Sequence, residues 1–222
     1  GQFTNLQYIE LQNNRINGTL PTHLFDSSVL VKMTFYNNFI TGHIPCPSGV
    51  APTIVSINVA RNDISGPIPS CLFTHMPELK VLSLAHTPLH STVPAEVQQS
   101  PKLSALLLDN TGLTGNLTNL LNISQMASLD VSHNFLSGGA AYEFFAGMPK
   151  LYSIDLAWND LTGDLPLIDN NDGLRIIDFS HNDFSGTIQS QLLSFAANQE
   201  RGLLSSLDIS SNNFCGPLPD VF

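Results

Sequence analysis

Apolar residues recur along this chain in a fixed phrase. It is clearest from Ile54 to Pro69, I-V-S-I-N-V-A-R-N-D-I-S-G-P-I-P, where Ile54, Ile57, Val59, Ile64 and Ile68 are apolar and Asn62, Gly66 and Pro69 punctuate them. Aligned on its first apolar position, the phrase starts nine times, at Leu6, Leu30, Ile54, Leu79, Leu103, Met126, Leu151, Leu174 and Leu204. The steps are 24, 24, 25, 24, 23, 25, 23 and 30 residues. Self-similarity at such a period means stacked units, none of which buries its own apolar face, so that neighbours supply the core. Within each unit apolar and polar residues alternate, as in Ile9-Glu10-Leu11 and Ile177-Asp178-Phe179. That period of two predicts a short strand with one face in the core, and stacking then builds a parallel sheet. The long last step contains Gln191 to Ala197, which predicts an added helical turn.

Two positions punctuate the units. One is Asn14, Asn38, Asn62, Asn134, Asn159, Asn182 and Asn212, replaced by Thr87 and Thr111 in units four and five. A side-chain amide offers donors and an acceptor to the turning backbone of its own and the adjacent unit. Threonine lacks that reach, so units four and five are expected to be the loosest part of the ladder. The other position is glycine, from Gly18 to Gly216, with Ser91 in its place in unit four. It marks a turn that glycine fits most easily.

The phrase L-x-x-L-x-L-x-x-N-x-L-x-G-x-I-P resembles the plant-type subclass of leucine-rich repeats. It is whole in residues 54–69, nearly so in 6–21, 30–45, 151–166 and 204–219, and the resemblance covers essentially the entire chain. It implies a leucine-rich repeat solenoid, a right-handed superhelix or horseshoe. A parallel β-sheet would line the concave face, with irregular second strands and 3₁₀ turns on the convex side. The family includes ectodomains of receptor kinases and receptor-like proteins, and polygalacturonase-inhibiting proteins, which implies an extracellular or cell-surface location. Residues 1–222 read as a single array. Unit four loses both Asn and Gly, and units six and eight carry Gly138-Gly139-Ala140 and Thr187-Ile188-Gln189 where I-P is expected. Neither end shows the family's cysteine-paired cap, so the chain is expected to continue, or to pack on something, at both ends.

Composition narrows the partners. Apolar residues make up 42% and charged ones 12%, which suits a continuous core. With 8 basic against 18 acidic residues the net charge is −10, so a nucleic-acid partner is not expected. No apolar run reaches the roughly 18 residues of a membrane span. Cys46 and Cys71 follow the I-P step region of neighbouring units, close enough for a disulfide; the same positions suit two half-buried thiols. Cys215 has no partner in the array. No cofactor is expected.

Solvent-facing strand positions form columns across the sheet. One reads Glu10, Thr34, Asn58, Ser83, Leu107, Asp130, Asp155, Asp178 and Asp208; another reads Asn13, Asn37, Arg61, His86, Asn110, His133, Trp158, His181 and Ser211. The four carboxylates, about 5 Å apart, are expected to raise one another's pKa and to favour a basic partner, although L-D-L-S is also common consensus in the family. Trp158 between His133 and His181 is the most suggestive group: a ligand anchor, or a Trp packed flat on its neighbours. Tyr8, Tyr36 and Arg61 make a weaker group. Asp130, Ser132 and His133 invite a catalytic-triad reading, but a flat sheet without an oxyanion pocket argues against an enzyme. His133 and His181, two units or about 10 Å apart, are a poor metal pair. Sequons at Asn17, Asn116 and Asn122 are candidate glycosylation sites off the strands, though three is what chance gives in this composition. The expected function is a non-catalytic extracellular recognition module that binds protein, peptide or glycan on its concave face. The alternatives are a structural building block packed with other subunits of an extracellular assembly and an inhibitor of a microbial cell-wall hydrolase.

Overall fold

Each unit opens with a three-residue strand: Tyr8–Glu10, Lys32–Thr34, Ser56–Asn58, Val81–Ser83, Ala105–Leu107, Ser128–Asp130, Ser153–Asp155, Ile176–Asp178 and Ser206–Asp208. In the computed structural model, which describes residues 4–51, 53–139, 145–166, 171, 173–188 and 204–218, these strands form one nine-stranded parallel sheet in chain order. Equivalent residues pair throughout, so the middle apolar residues from Met33 to Ile177 stack into one buried column. Truncating one of them, such as Leu106, would cost about 2–5 kcal/mol.

The second half of each unit builds the flank. Asn17–Thr19, Phe39–Gly42 and Asp63–Ile64 form a three-stranded sheet. Thr114–Gly115, Phe135–Gly139, Asp160–Gly163, Asp183–Thr187 and Asn213–Cys215 form a five-stranded one. The interruption falls at unit four, whose second half carries Thr87, Pro88 and Ser91 and contributes no flank strand. Units six and eight have the longest flank strands, five residues each. They lack the I-P ending, and without a proline the backbone N–H groups needed to prolong a ladder are all present. The convex side carries α turns (Thr22–Phe25 and Cys71–Thr74) as well as the expected 3₁₀ turns (Ala95–Gln99 and Leu117–Leu120). The turn anticipated within residues 191–197 lies outside the described residues.

The asparagine position does bridge neighbouring units. Asn159 Nδ2 donates to Leu156 O of its own unit and to Val131 O of the preceding one, both at 3.0 Å, while its Oδ1 accepts from Leu136 N at 2.9 Å. Asn38, Asn62, Asn134, Asn182 and Asn212 make the same kind of link. Thr87 donates to Leu84 O and Thr111 to Leu108 O of their own units, Thr111 also lying 3.2 Å from Asn134 Oδ1 of the next unit, and neither side chain reaches the unit before it. Units four and five thus lose the bridges to the unit before them, yet Leu82, Leu84, Leu103, Leu106 and Leu108 are fully buried.

The glycine position answers two needs. Gly66 has φ +89°, and a Cβ there would stand 2.5 Å from the imidazole of His43, the side chain one place after the glycine of the preceding unit. Gly186 receives the Asp164 carboxylate in the same way. Cys46 and Cys71 are joined by a disulfide, Cα atoms 5.8 Å apart, tying the convex sides of units two and three together. Cys215 is free and exposed.

Candidate functional site

The column that ends in Ser211 has a common backbone state invisible to periodicity. All nine of its residues are left-handed, with φ between 52° and 59°. Such a φ costs a non-glycine residue about 1–2 kcal/mol, and Asn and His tolerate it best. Ladder bonds impose it even on the bulky Trp158, whose N–H reaches Ser180 O at 3.0 Å and whose successor Asn159 is locked as described. The consequence is a row of side chains stacked at the downstream rim of the concave sheet.

In units six to eight that row is a ladder of rings. Trp158 lies on His181 with centroids 3.8 Å apart and planes 14° apart, and faces His133 at 5.5 Å and 21°. Trp158 remains 50% exposed, so it is both packed flat and available. In the earlier units the row is polar and closed on itself. Asn37 Nδ2 donates to Asn13 Oδ1 (2.9 Å), and Asn13 Nδ2 donates to the Tyr36 hydroxyl (3.2 Å). Asn110 Nδ2 stands 2.9 Å from His86 Nδ1, and Asp109 Oδ2 stands 3.1 Å from His86 Nε2. Arg61 Nη2 is 3.3 Å from the same Nε2. Tyr36 and Arg61 therefore serve different clusters and, with Tyr8, do not form one group.

The carboxylates occupy the middle of the sheet, Asp130, Asp155, Asp178 and Asp208 being register neighbours. Each uses Oδ1 to hold the turn beyond its strand. Asp130 and Asp178 accept from the N–H and hydroxyl of Ser132 and Ser180, at 2.7–3.1 Å. Asp208 accepts from Ser210 N at 2.9 Å. Asp155 has Ala157 two residues on, so it accepts one backbone N–H at 3.0 Å and no hydroxyl. This Asp turn gives L-D-L-S a structural use. It also revises the expectation of mutual repulsion along the whole row. Asp155 is pushed up to about 6, first by burial and only then by Asp130 and Asp178. Asp109 is raised too, by burial and then by Asp130, with His86 and Arg61 opposing. Asp208 goes the other way, lowered by its hydrogen bonds from Ser210. Burial and hydroxyl donors outrank repulsion here.

Two surface residues escaped the column analysis. Tyr152 is 53% exposed and Ile176 39% exposed, at the upstream rim of units seven and eight. They are adjacent, since Tyr152 O accepts from Arg175 N and Ile176 N. The concave columns pointed to neither because both precede the L-x-L alternation, and their exposure is the signal that finds them.

Asp130, Ser132 and His133 are not arranged as a triad: Ser132 Oγ donates to Asp130, and His133 faces Trp158. Among the described residues no group of three His, Cys, Asp or Glu has the geometry to hold a metal ion. Asn17, Asn116 and Asn122 are all exposed. Asn17 sits on a flank strand rather than off the strands, and Asn116 caps the 3₁₀ turn Leu117–Leu120 by accepting from Thr118 N.

Known proteins share both the repeat and the shape. The leucine-rich repeat family model matches residues 5–26 and 203–222. Receptor-like protein 18 of Arabidopsis thaliana is 29% identical over 134 residues, covering 58% of this chain and 16% of that protein. The ectodomain of the Arabidopsis thaliana membrane receptor kinase GASSHO1/SCHENGEN3, in complex with CASPARIAN STRIP INTEGRITY FACTOR 2, superposes with a TM-score of 0.86 at 28% identity, covering 96% of this chain and 25% of that one. The plant peptide hormone receptor RGFR1 in complex with RGF2 gives 0.82 at 25% identity, covering 94% and 32%. The chain spans well under a third of the curated relatives it matches, 16% and 22% of the first two. Among the described residues no helix is long and apolar enough to cross a membrane. Repeat phrase, sheet and likenesses agree: the chain is a leucine-rich-repeat solenoid similar to plant receptor-like proteins and receptor ectodomains.

Proposed function

We propose that this chain is a ligand-binding stretch of a non-catalytic receptor-like array and holds a peptide on the concave face of units six to nine. The receptor-like relatives and ectodomain likenesses indicate an extracellular or cell-surface location. The observation that carries the reading is the surface of these units. A half-exposed Trp158–imidazole stack stands beside four adjacent carboxylates, and positions 128–133, 153–158, 176–181 and 206–211 hold no Lys or Arg to neutralise them. Rigid exposed aromatics are efficient anchors because little side-chain entropy is lost on contact. The likeness to a peptide hormone receptor supports a peptide over the other ligands. Asn17, Asn116 and Asn122 are available for glycans that leave this face uncovered.

The test is to pan a displayed peptide library against the chain and map the selected peptides by hydrogen exchange. Protection is expected on units six to nine. Replacing Trp158, His133 and His181 together by Ala is expected to abolish it. Protection confined to the flank or convex side, or binding indifferent to the triple variant, would reject the site.

A further inference from the structure

We propose that the joint between units three and four is a hinge, at which units one to three swing as a block against units four to nine about the concave sheet. The inference goes beyond the peptide reading above and concerns the scaffold that carries it. At every other joint between described residues, hydrogen bonds link the flanks of neighbouring units. Ile16 N and Ile40 N donate to the asparagine side chains of the next unit, Asn38 and Asn62, at 3.0 and 2.9 Å. Phe39 N and Phe135 N donate back to Ile16 O and Leu113 O, both at 2.8 Å. Ile64, the counterpart of Ile16 and Ile40, has Thr87 in place of that asparagine, and the Thr87 hydroxyl donates to Leu84 O. Pro88, the counterpart of Phe39, has no N–H to give. Among the described residues no hydrogen bond joins 62–70 to 87–94.

The break lies on one side of unit four only. His90 N donates to Thr111 O (3.1 Å), Thr114 N donates to Ser91 O (2.9 Å), and the His90 imidazole lies against Gly112, so unit four moves with unit five. Units one to three are braced among themselves by the flank ladder of Asn17–Thr19, Phe39–Gly42 and Asp63–Ile64 and by the Cys46–Cys71 disulfide. The joint itself is crossed by the concave ladder, with Val59 N on Ser83 O (3.0 Å) and Arg61 N on Ala85 O (2.8 Å). Behind that ladder lies the apolar core, with Ile64, Leu72, Leu89 and Val93 all buried. Ladder bonds are directional and fix an axis, whereas apolar contact is non-directional and tolerates small rotations. Bending there turns the concave face of units one to three relative to units six to nine and leaves each surface intact. A partner that touches both blocks would select one angle.

Pairs of nitroxide labels on the flank read the motion through dipolar distance measurements. One pair, Thr41→Cys with Ser137→Cys in a Cys215→Ser background, spans four units across the joint. The other, Thr114→Cys with Cys215 itself, spans four units inside one block. All four positions are exposed, and each pair is separated by roughly 20 Å. The distance distribution of the first pair is expected to be at least twice as wide as that of the second. Thr87→Asn with Pro88→Asp, which gives unit four the residues of unit three, is expected to narrow it to the width of the second pair. Equal widths in the original sequence overturn the proposal, and so does a wide first pair that the double variant leaves unchanged. Hydrogen exchange of the unlabelled chain gives a second reading that needs no variant. The Ile64 amide is expected to exchange at least tenfold faster than that of Ile40, and equal protection overturns the hinge. Neither measurement uses a ligand, so a negative result here leaves the concave-face function standing, and failure of that function leaves the hinge standing.

Discussion

The two halves of the concave face share one backbone and differ in how their side chains are satisfied. In units one to five nearly every charge or amide is answered within the sheet. Glu10 meets Lys32 at 2.7 Å, Asn13 is shared by Tyr36 and Asn37, and Arg61, His86, Asn110 and Asp109 form one cluster. In units six to nine the same positions hold carboxylates with no cation among them and an aromatic stack with an open edge. The parallel ladder crosses both halves in unbroken register, so the difference owes nothing to the backbone. A solenoid decouples scaffold from surface: the inward residues fix the stack, and outward residues vary at little cost to stability. Polar groups that pair internally are poor hooks for a ligand, and unpaired ones are good hooks.

The contrast can be broken in steps. The largest effect is expected from Cys46→Ser with Cys71→Ser, which opens a cross-link spanning 25 residues. It should lower stability by about 3 kcal/mol. Hydrogen exchange should locate the loss in units two and three, with the amides of the Ser153–Asp155 and Ile176–Asp178 strands unaffected; a uniform loss would show that the halves unfold as one.

Next comes Asn159→Thr, which gives unit seven the residue type of units four and five. It removes the bridges to Val131 O and Leu136 N and should cost about 2 kcal/mol, read by chemical denaturation. A negligible change would mean that the missing bridges do not loosen units four and five either.

A smaller, pH-dependent effect is expected at Asp155. Its folded pKa of about 6 lies above the ordinary 3.8, so the protonated form favours the fold and stability declines as pH rises from about 4 through 6. Asp155→Asn keeps an acceptor for Ala157 N. It should therefore stabilise the chain at pH 8, on the order of 1 kcal/mol after solvent screening, and change little at pH 4. Melting temperatures at the two pH values decide it, and an equal shift at both would contradict the assignment. The smallest effect belongs to Lys32→Met, which breaks the exposed pair with Glu10 and should cost under about 0.5 kcal/mol in a double-mutant cycle.

Much of the fold was legible because a repeat states its rule nine times over. The strand positions, the parallel stacking and the bridging asparagines all follow from apolar period and side-chain valence. The placement of the candidate residues was legible in outline: Asp130, Asp155, Asp178 and the Trp158 group sit where their columns put them. Four things were not. The break in the flank sheet depends on what Thr87, Pro88 and Ser91 do jointly to one turn. The upward shift of Asp155 depends first on how deeply its carboxyl is buried, and Ala157 leaves it without the hydroxyl that Ser132 and Ser180 give its neighbours. The exposure of Tyr152 and Ile176 depends on where the sheet ends, and the split of Tyr36 from Arg61 on which neighbour each side chain meets.

What the sequence by itself determined is the stack: inward residues repeat at a spacing that only parallel, in-register units can bury. What only the tertiary structure decided is the state of the outward residues. A carboxylate at about 6, a tryptophan held left-handed between two imidazoles and an arginine turned toward a histidine are properties of neighbours some 24 residues away along the chain. Burial, hydrogen-bond supply and ring contact arise between units, and no single unit's sequence contains them.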